Sequence, residues 1–312
     1  MTEEKPTHLW FNGAVVPWAD GQVHVWSELA IRGASVFEGI RLYWHEPSRC
    51  HYALALDEHI DRLFRSARLL RLPTSMTPAS LEQAIWDLVA VLDEPNHLYL
   101  RPTLYLEEGR YAYRPEDVVA GTYVVGFPVP RTDRDAGVRV LVSSWRRMPD
   151  SVLPPRIKAG GAYLAFRLPL VEAHTRGFDD AILLNERDKV AEATGTALVI
   201  VRRGRAVTPP VTAGVLESIT LARALRLLSD DLGIPVEERE VDRSELYDAD
   251  EMFLCGTLAE IRPVVVVDDL ELSGGQPGPI TTALADRYAE ICLAGPDAPP
   301  GWLRAAPERA NP

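Results

Sequence analysis

Three observations predict a mixed α/β (α+β) fold in two domains. Strand-like and helix-like segments mix along the chain without the regular βαβ period of a fully parallel sheet. A stretch dense in proline, charge and glycine, PVPRTDRDAG at Pro128–Gly137, breaks the pattern. The 312 residues also suffice for two hydrophobic cores. The expected division is a small N-terminal domain over 1–127, a linker over 128–137 and a larger domain over 138–312.

Taken in order, LWFNGAVVPWADGQVHV alternates apolar and polar residues around Gly13 and predicts a hairpin. LDEHIDRLFRSARLLRL predicts an amphipathic helix whose apolar face carries Ile60, Leu63, Phe64, Ala67 and Leu70, with Asp57 as its cap. Arg62, Arg65 and Arg68 recur at three-residue spacing on that helix, the usual mark of a solvated polar face. ASLEQAIWDLVAVLDE predicts a second helix, followed by the strands HLYLRPTLYLE and TYVVGFPV. Beyond the linker, VRVLVSSW, AILLNE, ALVIVRRGRAV and EMFLCG predict strands. LAFRLPLVEAHTRG and ESITLARALRLLSDDLG predict helices, the second stopped by Gly233. The closing GPDAPPGWLRAAPERANP is rich in proline and alanine and is expected to be partly disordered.

Composition narrows the function. A net charge of −12 argues against a general nucleic-acid binder. Cys50, Cys255 and Cys292 are too scattered for a disulfide framework or a zinc site, and the seven histidines lack ligand spacing, so no metal is expected. No run of eighteen apolar residues occurs, and the polar, acidic start lacks the pattern of a signal peptide. A cytoplasmic protein without a membrane partner is expected.

The chain writes nearly all of its 33 positive charges as arginine; its lysines are Lys5, Lys158 and Lys189. Lys158 stands in RIKAGGAYL, against two glycines in an apolar run. An amine can lose its proton and attack a carbonyl, which a guanidinium cannot do. If Lys158 forms an imine with pyridoxal phosphate, three further groups are needed: an acid for the pyridine nitrogen, donors for the phosphate and donors for a substrate carboxylate. Glu192, in KVAEATGTALVIV, is a carboxylate among small residues. Arg62 supplies a cation. Ser218, Ile219 and Thr220 would open a helix whose free amides suit an anion, and Gly256, Thr257 and Leu258 form a small-residue turn after a strand. A serine helix cap or a plain hairpin turn explains either of the last two segments equally well.

These segments occur together and in a specific order: WFNG at Trp10–Gly13, SVFEGIR at Ser35–Arg41, HIDRLFRSA, YLRP at Tyr99–Pro102, VSSW at Val142–Trp145, KAGGAYL at Lys158–Leu164 and LYDADEMFLCGTLAEIRPV at Leu246–Val264. In them the chain resembles, nearly end to end, the class IV pyridoxal-phosphate aminotransferases, and most closely those acting on branched-chain amino acids. The resemblance implies the two-domain fold type IV, with a small N-terminal α/β domain and a larger mixed α/β cofactor domain. It implies that Lys158 is the Schiff-base lysine and that Tyr163 bonds the ring hydroxyl oxygen. Glu192 would pair with the pyridine nitrogen. Arg62, Ser218, Ile219, Thr220 and Thr257 would hold the phosphate. Phe37, Tyr99, Arg101, Gly256, Thr257 and Leu258 would line the substrate side, with Arg101 meeting the distal carboxylate of glutamate. It further implies an amino-acid and ketoacid substrate pair and a homodimer or larger homo-oligomer.

Three departures from the family pattern matter. Ala197 and Val199 replace an asparagine and an aromatic residue, and Ser218 stands where glycine is usual. Arg32 occupies the place of an aromatic pocket residue; it would bind a substrate carboxylate or pair with Glu107 or Glu108. Tyr111 and Tyr113, in LEEGRYAYRPED, replace a glycine-rich aliphatic loop, and Val129 replaces a pocket tryptophan. The expected activity is transamination of a branched-chain-like L-amino acid with 2-oxoglutarate and glutamate as the second pair, with a pocket reshaped for aromatic or polar side chains as a hypothesis that these departures raise. Same-fold alternatives are a D-amino-acid or (R)-amine transaminase and a lyase of the aminodeoxychorismate type. A cofactor-binding homologue without turnover is the alternative from another class.

Overall fold

The computed structural model describes residues 5–108 and 117–308. It resolves two compact units: Met1–Arg131 with Ile157–Gly161 and Ile291–Pro312, and Thr132–Arg156 with Ala162–Glu290. The first boundary, Arg131/Thr132, falls inside the proline-rich stretch. The chain then returns to the first unit twice, so the segment carrying Lys158 belongs with the N-terminal residues.

The first unit is built on an antiparallel sheet of β1 (His8–Phe11), β2 (Ala14–Pro17), β3 (Ser35–Phe37), β4 (Ile40–His45), β5 (Cys50–Leu54), β6 (Leu98–Glu108), β7 (Val119–Pro128) and the late strand β17 (Leu303–Ala305). The order is β17-β5-β4-β6-β7-β1-β2, with β3 added to β6. The predicted hairpin closes through Asn12 and Gly13, both at positive φ (44° and 117°), as a two-residue turn between right-twisted strands requires. Three helices accompany the sheet: α1 (Glu28–Arg32), α2 (Leu56–Leu69) and α3 (Pro78–Leu92). Thr77 and Ser80 form a reciprocal capping box at the start of α3.

α2 buries Ile60, Leu63 and Ala67 as its periodicity predicts. Two details differ from the prediction. Its N-cap is Ala55, and Asp57 lies in the first turn, paired with Arg304 at 2.7 Å. Arg62 is not on a solvated face but buried, while Arg68 is exposed. The C-terminal stretch is ordered through 308: Leu303 pairs with Leu54 and Ala305 with Tyr52, because β5 offers an open edge there.

The second unit holds a mixed sheet of β8 (Val138–Arg146), β9 (Asp180–Leu184), β10 (Val190–Ala193), β11 (Ala197–Arg202), β12 (Arg205–Thr208), β13 (Val236–Glu238), β14 (Glu251–Gly256), β15 (Glu260–Val267) and β16 (Leu270–Glu271). β8 runs parallel to both β9 and β15, and β12 parallel to β13. ALVIVRRGRAV, expected as one strand, is the hairpin β11–β12, turned at Arg203 and Gly204 with φ of 52° and 71°. Helices α4 (Gly160–Tyr163), α5 (Arg167–Thr175), α6 (Ile219–Arg226), α7 (Arg243–Tyr247) and α8 (Pro279–Leu293) complete the order. Val140, Ile182, Leu198, Met252, Leu254 and Val264 share one core cluster at the centre of the sheet. Among the described residues no helix is long and apolar enough to cross a membrane.

Candidate active site

In the first unit, Lys158 is fixed by its backbone. Its amide donates to Ser66 Oγ on α2 at 3.2 Å, and its carbonyl accepts from Phe37 N at 3.0 Å. Val36 and Ala159 form a bridge beside it, so the lysine segment docks against β3 like a short extra strand. The ammonium lies 5.0 Å from the centre of the Phe37 ring, and the Arg101 guanidinium lies over the same ring at 3.9 Å. At Gly160 a Cβ would stand 2.5 Å from Ser35 Oγ, whereas at Gly161 the nearest atom would be Gly33 O at 3.8 Å. The first glycine thus permits a close approach to β3 of the same unit.

One helix turn from Ser66 stands a buried ionic cluster that the sequence reading did not identify. Glu38, fully buried, accepts from Arg62 Nε at 2.6 Å and Nη2 at 2.8 Å, and from His59 Nδ1 at 2.8 Å. A carboxylate can only accept, so the imidazole must carry its proton on Nδ1. Burial pushes the Glu38 carboxyl up, but the Arg62 charge and hydrogen bonds and the His59 contact outweigh it and hold the group far below the usual carboxylate range. Burial likewise depresses His59, with help from the Arg62 and Lys158 charges and against Glu38. Arg62, expected at a phosphate, has two of its donors committed to Glu38.

The other expected residues of this unit lie as follows. Tyr99 is buried and packs across Gly39, with Phe127 tilted against it at 5.4 Å. Arg32, at the end of α1, donates to both oxygens of Glu28 at 2.7 and 2.6 Å, a partner one helical turn back. Val129 N donates to His97 O at 2.9 Å. Tyr111 and Tyr113 lie outside the described residues.

In the second unit, Glu192 on β10 is buried and braced on both oxygens. Oε1 accepts from Arg147 Nε at 2.6 Å and Oε2 from Leu216 N at 3.2 Å. The turn after it is held by Asp180, which accepts from Thr194 N at 3.3 Å, from Thr194 Oγ1, and from Ala181 N at 2.7 Å. Burial pushes the Asp180 carboxyl up despite those bonds. Gly195, at φ 94°, passes Tyr163, whose Cε1 would be 3.6 Å from a Cβ at that position. Thr196 sits beside Gly256, so the Glu192 turn and the Gly256-Thr257-Leu258 turn between β14 and β15 are neighbours. Leu258 O accepts from Thr132 Oγ1 at 3.0 Å.

Leu216 leads into α6, where Ser218 Oγ caps the helix by accepting from Leu221 N at 3.1 Å. The amides of Ile219 and Thr220 are the first two of that helix and have no intrahelical acceptor. Two further buried atoms, Arg147 Nη1 and Thr196 Oγ1, have no hydrogen-bond partner among the described residues. In the second unit, then, Tyr163 stands beside Gly195, Thr196 beside Gly256, and Glu192 holds Leu216, two residues before the Ser218 cap. Sequence reasoning missed Arg147, Glu38, His59 and Ser66.

The chain is similar to known proteins over nearly its whole length. The family model "Amino-transferase class IV" matches residues 35–267. A probable branched-chain-amino-acid aminotransferase of Aquifex aeolicus is 36% identical over 279 residues, 89% of this chain and 90% of the relative. The branched-chain-amino-acid aminotransferase of Escherichia coli K12 is 33% identical over 311 residues, 97% of this chain and 98% of the relative. The crystal structure of the Thermobaculum terrenum branched-chain aminotransferase in its PLP form superposes with a TM-score of 0.92 at 38% identity, covering 98% of this chain and 100% of that one. A T.th. branched-chain aminotransferase complexed with N-(5'-phosphopyridoxyl)-L-glutamate superposes with a TM-score of 0.89 at 33% identity, covering 97% and 99%.

Proposed function

The chain belongs to the class IV aminotransferase family, and from that premise we propose that it transfers the amino group of a branched-chain-like L-amino acid, with glutamate and 2-oxoglutarate as the second pair. The fold is that of the fold type IV aminotransferases, and the cofactor is pyridoxal 5'-phosphate. The single observation that carries the reading is Lys158, a half-buried amine clamped by its backbone on both sides and resting on an aromatic ring.

The residues present fit the cofactor. Side-chain donors buried without a partner among the described residues, a braced carboxylate and the first amides of a helix are what a phosphorylated, nitrogen-containing ring would satisfy. When bound, the cofactor supplies an aldehyde for a lysine amine and an electron sink for the substrate Cα–H bond. Lys158 would hold it covalently, and its freed amine would serve as the general base and acid that moves the proton. Glu192 would pair with the ring nitrogen, and Tyr163 would hydrogen-bond the ring hydroxyl oxygen. Ser218, Ile219, Thr220 and Thr257 serve the phosphate through backbone and hydroxyl donors, with Arg62 as the cation expected there. Phe37, Tyr99 and Arg101 line the substrate side, and Gly256, Thr257 and Leu258 receive the α-carboxylate. The phosphopyridoxyl-glutamate adduct named for the T.th. relative supports glutamate as the second substrate. Arg32, Tyr111, Tyr113 and Val129 are the positions at which the pocket departs toward aromatic or polar donors. We also propose a cytoplasmic homodimer or larger homo-oligomer.

The test is spectroscopic and kinetic. The wild type should show a visible cofactor band that amino donor discharges, and Lys158→Ala should lose both covalent attachment and turnover. Unimpaired transamination by Lys158→Ala would end the reading. Initial rates with leucine, isoleucine, valine, phenylalanine and glutamate decide the pocket; a clean preference for the three aliphatic donors removes the reshaping proposal.

A further inference from the structure

We infer that Arg147 is a positioning residue that sets the Glu192 carboxylate and, through it, the turn leading into α6. The inference rests on the proposed function, because it takes Glu192 and the amides of α6 as cofactor contacts. Arg147 follows β8, and its amide donates to Leu184 O at 2.9 Å, which ties it to the end of β9. Its side chain is buried and donates Nε–H to Glu192 Oε1 at 2.6 Å. The guanidinium lies 5.0 Å from the centre of the Phe166 ring, whose edge-on neighbour at 5.2 Å is Tyr163. Its stem passes Gly214, where a Cβ would stand 3.7 Å from Arg147 Cγ. Glu192 Oε2 accepts from Leu216 N at 3.2 Å, two residues beyond that glycine. One cation therefore touches, directly or through a single residue, the acid, the tyrosine and the Gly214–Leu216 turn.

Stability alone is a poor reason for this arrangement. A buried ion pair seldom outperforms apolar residues of the same volume, because both charges lose their hydration. Arg147 Nη1 worsens that balance, since it is buried without an acceptor among the described residues. An arginine kept under those terms makes sense as a fixed fork that holds one carboxylate oxygen in place, which leaves the other to hold the Leu216 amide. The position of Leu216 then determines where the Ile219 and Thr220 amides point.

The experiment is a double-mutant cycle on cofactor-free protein with two readouts: hydrogen exchange at the Leu216 amide and the dissociation constant for added pyridoxal 5'-phosphate. Arg147→Met should speed Leu216 exchange and weaken cofactor binding by about tenfold or more, the scale of one lost hydrogen bond to a charged group. Arg147→Lys should recover part of both effects. In a Glu192→Gln background the Arg147→Met change should be strongly non-additive, moving cofactor affinity by less than about twofold. Should Arg147→Met fail to fold, the double variant, which buries no charge at this pair, and Arg147→Lys carry the test. Additive effects, or a fall in melting temperature with Leu216 exchange and cofactor affinity both unchanged, would overturn the inference. Wild-type protein that binds no cofactor would overturn the proposed function instead, with Leu216 exchange still reading the role of Arg147.

Discussion

Around Arg62 in the first unit, Glu38 gives both oxygens to the guanidinium and shares one with His59. Around Arg147 in the second unit, Glu192 gives one oxygen to the guanidinium and the other to a backbone amide, while Arg147 Nη1 has no acceptor among the described residues. Both pairs are buried to a similar degree. The first is a carboxylate saturated by side chains, an internal counter-charge that holds α2 against the β3–β4 turn. The second ties a strand end to a turn. The difference separates a carboxylate held by the side chains of one helix from one that also holds a backbone amide.

The largest expected effect tests that separation directly. Glu38→Gln leaves the buried Arg62 charge without its counter-ion and should cost about 3–5 kcal/mol of stability. Glu192→Gln also leaves a buried arginine, Arg147, without its counter-ion, but it keeps an acceptor for Leu216 N and should cost less, toward the lower end of that range. Urea unfolding of the two cofactor-free variants decides it, and equal losses would break the comparison.

Backbone packing beneath Lys158 gives the next effect. Gly160→Ala should cost about 1–3 kcal/mol, because its Cβ meets Ser35 Oγ at 2.5 Å in a closed site. Gly161→Ala, with 3.8 Å to its nearest atom, should stay within about 0.5 kcal/mol. Adding Ser35→Ala to Gly160→Ala should restore much of the loss. Thermal melts of the three variants are sufficient, and no rescue would mean that the contact is not the cause.

The two clusters also differ in how far the sequence revealed them. The lysine, Glu192 and the serine before α6 stood out as residue types that the chemistry requires. Arg62 was visible as a residue but not in its environment: a three-residue arginine spacing reads as a polar face, and nothing local shows that Glu38, 24 positions earlier, turns one member inward. Arg147 was hidden in a pair of adjacent arginines at a strand end, where alternation alone does not say which is buried. Arg32 was expected to meet Glu107, Glu108 or a substrate carboxylate and pairs instead with Glu28, four residues back on a short helix that was not expected there. The hairpin at Gly13 and the apolar face of α2 were legible because their signals are local. The return of Ile157–Gly161 and the C-terminal stretch to the first unit depends on long-range pairing with β3 and β5, which no window of sequence contains.

A pH series separates the closed cluster from the rest by its sign. His59 is depressed in the fold, so its contribution is complete above its ordinary value of 6.5 and is lost as pH falls toward its folded value. Glu38 is also depressed, so its contribution is present above 4.5 and lost only in stronger acid. The melting temperature should therefore decline as pH drops below 6.5 and decline more steeply below 4.5. His59→Gln should flatten the first decline, by at most about 1.4 kcal/mol per pH unit, and leave the second. An unchanged slope between those values would mean that His59 is not the titrating group.

The smallest effect concerns Ser218, expected from sequence among the phosphate ligands and seated in the fold as the cap of α6. If its hydroxyl serves the helix, Ser218→Ala should cost about 1 kcal/mol and Ser218→Gly only a few tenths, since glycine adopts the cap conformation without a side-chain acceptor. Cofactor affinity should then follow helix stability, with Ser218→Gly binding pyridoxal 5'-phosphate nearly as well as the wild type. A hydroxyl that itself held phosphate would give a different pattern: alanine and glycine would weaken binding equally, regardless of their effects on melting. Measuring both quantities for the two variants distinguishes these outcomes. The second would move Ser218 from the structure beneath the second cluster to the face that meets the ligand.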